Sequence, residues 1–506
     1  MRSAEAVLQL HERSCYQRAN PEDGVVLAEV ESLLAGFAAR TDLRRHRQRL
    51  ADTGIVGTDI HYPFFWPTAR WLAARWPRQL SIDWAQIDDD RPLVAVLPLL
   101  VSPVETTWLR LSKPSPRDAL ARLAGATTTD AVFLVRRVAA MAGNDSTREA
   151  FYDGLAPPLL LKADVDTPTR TTAYYPPTRI YFQNAQLERS RPDLWVEMKR
   201  PPRSVRNVSV RNGQRLIDLA REAMVTRGRD LDAFAYGDPR DVRLIDDGEG
   251  LAWAMIGFIA ERRPTLRTSY GYLTLRNGVP IGYVQADVLW RCVDLAFNTF
   301  DTFRGHDSAA VLGRTMAMLR HQFDATSFTL EPYQLGEGND EGIQSGAWWF
   351  YYKLGFRPRN RLIRSVVKTE LERMERNPRH RSSATTLRKL AHDYLYLDRP
   401  GARAPLWPRL AFLGAQIAGR ENGSLIAASH QFPDAWSQAT TNERAALAAW
   451  APVIALLPGL EDWSPNERSG LIEVILAKAG HRDTDYLRLF EGHPRLGESL
   501  RRLTRA

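Results

Sequence analysis

The residues best suited to chemistry gather between positions 298 and 356. Phe303-Arg304-Gly305-His306-Asp307-Ser308-Ala309-Ala310 stands where strand-favouring residues give way to helical spacing. A helix starting there presents unpaired backbone N–H groups and a partial positive charge, and small side chains let a pyrophosphate approach. Asp307 would add a side chain and a negative charge beside that anion site; alternatively it caps the helix and satisfies the N–H groups itself. Downstream, Tyr351-Tyr352-Lys353-Leu354-Gly355-Phe356 puts a phenol one turn before a glycine suited to ending a helix. A phenol with a pKa of about 10 keeps its proton at neutral pH. Trp348, Trp349, Phe350 and Tyr352 surround it in sequence, so an aromatic helix packed on a sheet is an equally complete reading of Tyr351. Asp301 and Glu331 stand at predicted strand ends, with Asn298 and His306 as polar neighbours.

Two basic runs offer a different chemistry. Residues 199–229 hold nine Lys or Arg against Asp218 and Glu222, and residues 357–389 hold eleven against Glu370, Glu372 and Glu375. Lys199-Arg200-Pro201-Pro202-Arg203-Ser204-Val205-Arg206 and Arg376-Asn377-Pro378-Arg379-His380-Arg381 are dense enough to contact the phosphates of a polyanion. Neither has the spaced aromatics that stack on single strands, and a solvated surface is the alternative. The two cysteines, Cys15 and Cys292, cannot build a disulfide framework and lack the clustering of a zinc site. Cys292 sits in a predicted strand, with Arg291 on the opposite face and no histidine partner in sight.

The elements that must position these residues follow from periodicity. Helical spacing covers 25–39 and 117–124, with a Pro- and Trp-rich segment at 61–77 between them. A Thr-, Pro- and Arg-rich connector spans 162–202, with a strand expected at 179–182 and a boundary near 190–205. A helix is predicted at 214–226, then strands at 242–245, 252–259, 269–275 and 281–288. Asn277-Gly278 suits a tight hairpin between the last two, in a turn that Val279-Pro280 lengthens. A strand at 293–300, a helix at 308–323, a strand at 327–332, an aromatic helix at 346–353 and a strand at 356–367 complete the central series. Beyond it lie helices at 385–396, 408–417, 443–457, 465–479 and 483–491. Ser464-Pro465-Asn466-Glu467 carries the serine cap, first-position proline and third-position glutamate of a helix start.

The stretch 271–358 resembles the GNAT superfamily of acyl-CoA-dependent N-acyltransferases. The 303–310 loop is similar to the family's Arg/Gln-x-x-Gly-x-Gly/Ala junction, with Arg304 and Ala309 at its ends and Asp307 where the family has its central Gly. Tyr351 to Phe356 resembles the family's Tyr-x-x-Leu-Gly-Phe signature. The order of hairpin, strand, phosphate-loop helix, strand, short helix and strand also agrees, over residues 210–368. The resemblance implies that acetyl-CoA or another acyl-CoA is a co-substrate, held by Arg304, Gly305, His306, Asp307, Ser308, Ala309 and Gln344. Gln344 stands where the family has an Asn, with Asn339 a little upstream. It further implies that Tyr351 is the acid protonating the departing CoA thiolate, near a gap where parallel strands splay apart. Asp301 or Glu331 is then the candidate base for the amine, the alternative for each being a solvated strand end or loop residue.

The 506 residues, 44% hydrophobic and 25% charged, exclude whole-chain disorder, collagen-like sequence and coiled coil. Net charge is +9 with a pI near 9.6. The opening Met1-Arg2-Ser3-Ala4-Glu5 lacks the apolar core of a secretory signal, and the most apolar runs, 93–104 and 445–457, are short and contain prolines. No transmembrane segment is expected, and a reducing cytoplasm suits the cysteine usage. The expected fold is α/β: a helical region over 1–200, a central GNAT-like mixed sheet over 205–370 and a helical domain over 385–506. The expected function is acyl transfer to a small-molecule or peptide amine. The alternative is a non-catalytic scaffold of the same fold whose basic flanks meet a polyanion or protein partner.

Overall fold

A computed structural model describes residues 3–184, 191–305, 307–402, 407–418 and 425–503. The chain is mixed α/β and forms two compact units instead of the three sequential parts expected. One holds residues 1–184, 215–236 and 276–280; the other holds 185–214, 237–275 and 281–506.

The first unit is mostly helical, with one feature that the sequence reading lacks. Ile60–Tyr62 and Leu80–Ile82 both pair antiparallel with Leu159–Leu161, making a three-stranded sheet. Three residues per strand give too short an alternation to read. Trp66, Trp76, Tyr152 and Phe64 are buried against it. The Thr-rich stretch taken for a connector belongs to this core: Thr167, Thr169 and Thr171 are buried, and Thr171 Oγ1 lies 2.9 Å from His11 Nε2. The strand expected at 179–182 is absent, because the Asn277 side chain occupies that backbone. Its Oδ1 accepts from the Tyr181 N–H at 2.8 Å and its Nδ2 donates to the Tyr181 carbonyl at 2.9 Å. Asn277 (φ 45°) and Gly278 (φ 80°) form a two-residue turn, so Val279-Pro280 starts the next strand and does not lengthen the loop.

Glu222 gives this unit a pH dependence. It lies on the helix Val210–Val225, and its carboxyl is pushed up to about 7 from 4.5, by burial first, with Arg75 opposing and Asp218 adding. A raised folded pKa means stability that is full below the unfolded value and lost as pH rises through the folded one. Between about pH 4.5 and 7 the wild type is expected to lose about 1–3 kcal/mol that Glu222→Gln retains. Calorimetric melts of both proteins across that window check it; parallel curves would remove Glu222 as the cause.

The second unit is built on a nine-stranded sheet. Its strands are β1 Ser204–Asn207, β2 Gly237–Gly248, β3 Leu251–Phe258, β4 Thr268–Arg276, β5 Val279–Leu289, β6 Cys292–Thr299, β7 Ser327–Leu330, β8 Arg357–Pro358 and β9 Leu395–Asp398. Their order is β8-β9-β7-β6-β5-β4-β3-β2-β1. β5 and β6 are antiparallel, β6 and β7 parallel, and β9 runs antiparallel to both β7 and β8. Directly paired residues share a face. One face therefore carries Asp287, Asp294, Thr329 and Tyr396 in a row, and the other carries Val288, Val293, Phe328 and Leu397.

Helix α1, Ser308–Phe323, covers the apolar face with Val311, Leu312, Met316, Leu319 and Phe323. Phe323 meets Tyr270 of β4 at 6.1 Å between ring centres. Arg314 ties this helix to the end of β2. Its Nε and Nη2 donate to the two Asp247 oxygens at 2.7 and 2.6 Å, and its Nη1 and Nη2 donate to the Glu197 and Arg200 carbonyls. Among the helices that follow are α2 Asp340–Ser345, α3 Ala347–Lys353 and α4 Arg361–Arg376.

Two expectations are corrected here. Strand pairing after Phe356 stops at Pro358, and the expected strand over 356–367 is mostly α4, started by Asn360, whose Oδ1 accepts from the Leu362 and Ile363 N–H groups. The helix expected over 385–396 ends at Leu390. Leu395–Asp398 then enters the sheet between β7 and β8, so a domain boundary at 385 would cut the sheet. The helices expected over 408–417, 443–457, 465–479 and 483–491 lie within a few residues of Trp407–Ile417, Thr441–Ile454, Pro465–Ala477 and Asp483–Gly492, while Leu425–Gln431, Pro433–Gln438 and Leu496–Leu503 are helices the periodicity does not predict. Ser464 and Glu467 form the expected capping box. No helix among the described residues is long and apolar enough to cross a membrane.

Candidate functional site

β6 and β7 pair in parallel only from Cys292 to Asp294, opposite Ser327 to Thr329. β6 then continues to Thr299 without β7 beside it, so its carbonyls on that side are bonded, where they are, by side chains. One of them, the Phe297 carbonyl, accepts from Gln334 Nε2 at 3.0 Å. The same amide nitrogen lies 3.4 Å from the Tyr351 hydroxyl, donating to its oxygen. Donation to a carbonyl fixes which end of the Gln334 amide is nitrogen, so the phenol oxygen is the acceptor and its own hydrogen is left to give. Tyr351 is buried, and burial holds its hydroxyl above the usual phenol range, with Gln334 opposing.

Local sequence dictates where Tyr351 stands. α3 ends with the Leu354 N–H on the Tyr351 carbonyl at 3.0 Å, followed by Gly355 N–H to the Tyr352 carbonyl and Phe356 N–H to the Tyr351 carbonyl, both 3.2 Å. Gly355 has φ +106°, which the left-handed helix end requires, and the Tyr351 and Phe356 rings pack edge to face at 5.8 Å. Tyr, Leu, Gly and Phe at this spacing thus form a helix stop that aims Tyr351 at the gap.

A cavity of about 1040 Å³ opens over the first turn of α1. Gly305, Ser308, Ala309 and Gln344 line it, four of the seven residues expected at a cofactor site. Val311 is the first helix N–H bonded within α1, to the Asp307 carbonyl at 2.9 Å, so the three N–H groups before it have no helical partner. Asp307 occupies the cap position, and its side chain makes no capping hydrogen bond. Ser308 Oγ is buried without a hydrogen-bond partner. His306 lies outside the described residues.

The remaining expected residues stand elsewhere. Arg304 is absent from the cavity wall. Its guanidinium is ion-paired with Asp301 at 2.7 Å and with Glu341 of α2, and its Nε donates to the Thr299 carbonyl. Asp301 is largely exposed in that pair. Glu331 immediately precedes the short helix Pro332–Leu335 that carries Gln334, at the β7 end of the gap. Burial first, then Asp287, raise its pKa, with Arg267 opposing. Asp294, bonded to Thr329 Oγ1, is held well above the carboxylate range, chiefly by burial. Cys15 and Cys292 are both buried free thiols.

Sequence reasoning missed the cations of the cavity. Lys353 from α3, Arg381 from the loop after α4, and Arg191 all line it, and no described lining residue is acidic. Lys353 was visible inside the Tyr351–Phe356 motif, and Arg381 inside the second basic run; their convergence was not. The first run is different. It supplies β1, all four residues of which are exposed. Among the described residues no group of His, Cys, Asp or Glu is placed to hold a metal ion. Comparison with protein-family models, curated proteins and solved structures gives no match.

Proposed function

We propose that this chain transfers an acyl group, acetyl in the simplest case, from CoA to an amine. One observation carries the reading. A large cavity without described carboxylates lies over a helix start whose first three N–H groups have no partner within the helix, beside an unpartnered serine hydroxyl, and three cations line it. A polyphosphorylated ligand matches that chemistry. The gap between β6 and β7, with Tyr351 at its edge, suits a thioester laid between strands.

In this reading Glu331, its proton affinity raised by burial, takes a proton from the ammonium and passes it to solvent. The amine nitrogen attacks the thioester carbonyl carbon, the C–N bond forms and the C–S bond breaks. Tyr351 gives its proton to the departing thiolate, the nitrogen gives up its second proton to solvent, and Tyr351 takes one back from solvent, so that amide, free CoA and the resting enzyme result. A binding-only alternative has one specific support: Arg304 is committed to Asp301 and Glu341 and is not turned to a phosphate.

Titration calorimetry with acetyl-CoA and with CoA tests the proposal. Saturable heat is expected for both, followed by CoA release when a primary amine is added. No heat at millimolar ligand retires the enzyme and the polyphosphate site together. Saturable binding without turnover across an amine panel leaves the binding-only protein.

A further inference from the structure

The cavity holds more positive charge than a pyrophosphate on a helix start calls for. Lys353, Arg381 and Arg191 come from three separate segments, and among the described residues none of them makes an ion pair. That they converge is evident in Lys353, whose pKa is lowered by burial first and then by the charges of Arg191 and Arg381. Like charges gathered without a counter-ion oppose folding unless something else holds them in place.

Something does. Glu370 of α4 is 2% exposed and anchors the loop that carries Arg381. It takes His380 Nε2 at 2.9 Å and Ser382 Oγ at 2.5 Å, the two neighbours of Arg381 in the chain. Ser382 Oγ also accepts from Trp349 Nε1 of α3 at 3.0 Å, which joins the loop to the helix bearing Lys353. Arg381 itself is oriented by its Nη1, which donates to the Pro378 and His380 carbonyls. That leaves Nε and Nη2 for another acceptor.

We infer that Lys353 and Arg381, with Arg191 beside them, form a phosphate-monoester subsite additional to the anion site at Ser308 and Ala309. Two or three cations match the near-dianionic charge of a monoester at neutral pH, and the guanidinium fork suits its oxygens. This rests on the acyl-CoA reading, in which the monoester is the 3′-phosphate of the ligand's ribose. The protein then selects CoA over its dephosphorylated form.

The experiment compares acetyl-CoA with acetyl-dephospho-CoA on the full chain by titration calorimetry. The wild type is expected to bind acetyl-CoA about tenfold or more tightly. The double variant Lys353→Met, Arg381→Gln should shrink that ratio to about threefold or less, by weakening acetyl-CoA alone. Equal wild-type affinities overturn the subsite and leave the transferase reading standing. A variant that weakens both ligands equally also overturns it. No binding of either ligand removes the subsite and the acyl-CoA reading together. Should the variant fail to fold, as its melt would show, the wild-type ratio decides alone.

Discussion

Replacing Tyr351 with Phe is expected to lower acyl transfer about 100-fold or more while acetyl-CoA affinity hardly moves. The substitution keeps the ring that packs on Phe356 and removes only the hydroxyl at the gap. Gln334 already donates to that oxygen, so the hydroxyl keeps its own hydrogen to give, and burial keeps it attached throughout the neutral range. The competing account makes Tyr351 a packing residue. Losing its bond to Gln334 would then cost about 1 kcal/mol and spare turnover. Steady-state rates at saturating acetyl-CoA, read beside a melt, separate the two. A stable Phe variant with undiminished turnover retires Tyr351 as the acid. Gln334→Leu provides a second reading: it frees the phenol oxygen and the Phe297 carbonyl, and should disturb rate more than ligand affinity.

The largest effect on stability is expected from Asp247→Ala. Arg314 and Asp247 have side chains 9% and 6% exposed, and their fork-to-fork pair joins α1 to the end of β2. Removing the carboxylate leaves a buried guanidinium with the Glu197 and Arg200 carbonyls and a Glu197 carboxylate at 3.6 Å. A buried ion pair broken from one side costs about 3–5 kcal/mol, and the remaining acceptors put this site at the lower end. Urea unfolding of the two proteins measures it; a change below about 0.5 kcal/mol would mean that water reaches Arg314. Because α1 also carries Ser308 and Ala309, acetyl-CoA affinity should fall with the helix's anchorage.

What the sequence made legible was local. The helix over 308–323 coincides with α1, since its apolar spacing is regular and small residues open it. The helix stop at Gly355 was readable for a similar reason: a glycine one turn after an aromatic run has few other uses. Arg304 shows where such reading ends. Its place in the loop suggested a phosphate, but Glu341, on a helix far along the chain, claims it, and no spacing rule reports that. The cavity cations share this character, because Lys353 and Arg381 meet through α4 and its loop. Leu395–Asp398 was hidden differently. Four residues embedded in helical spacing carry too little alternation to outweigh their surroundings, and only their partners in β7 and β8 make them a strand.

That late strand sets a timetable for biogenesis. β7 is complete at Leu330, but the strand that covers its outer edge ends at Asp398. At about 5–20 residues per second of synthesis, the nascent β7 edge waits several seconds for its neighbour. During that interval β7 and β8 offer bare hydrogen-bonding edges to any passing extended chain. A chain cut anywhere between α4 and Leu395 keeps that exposure permanently. Such fragments should collect as insoluble aggregates in expression trials, and cuts placed after Asp398 should escape this particular hazard.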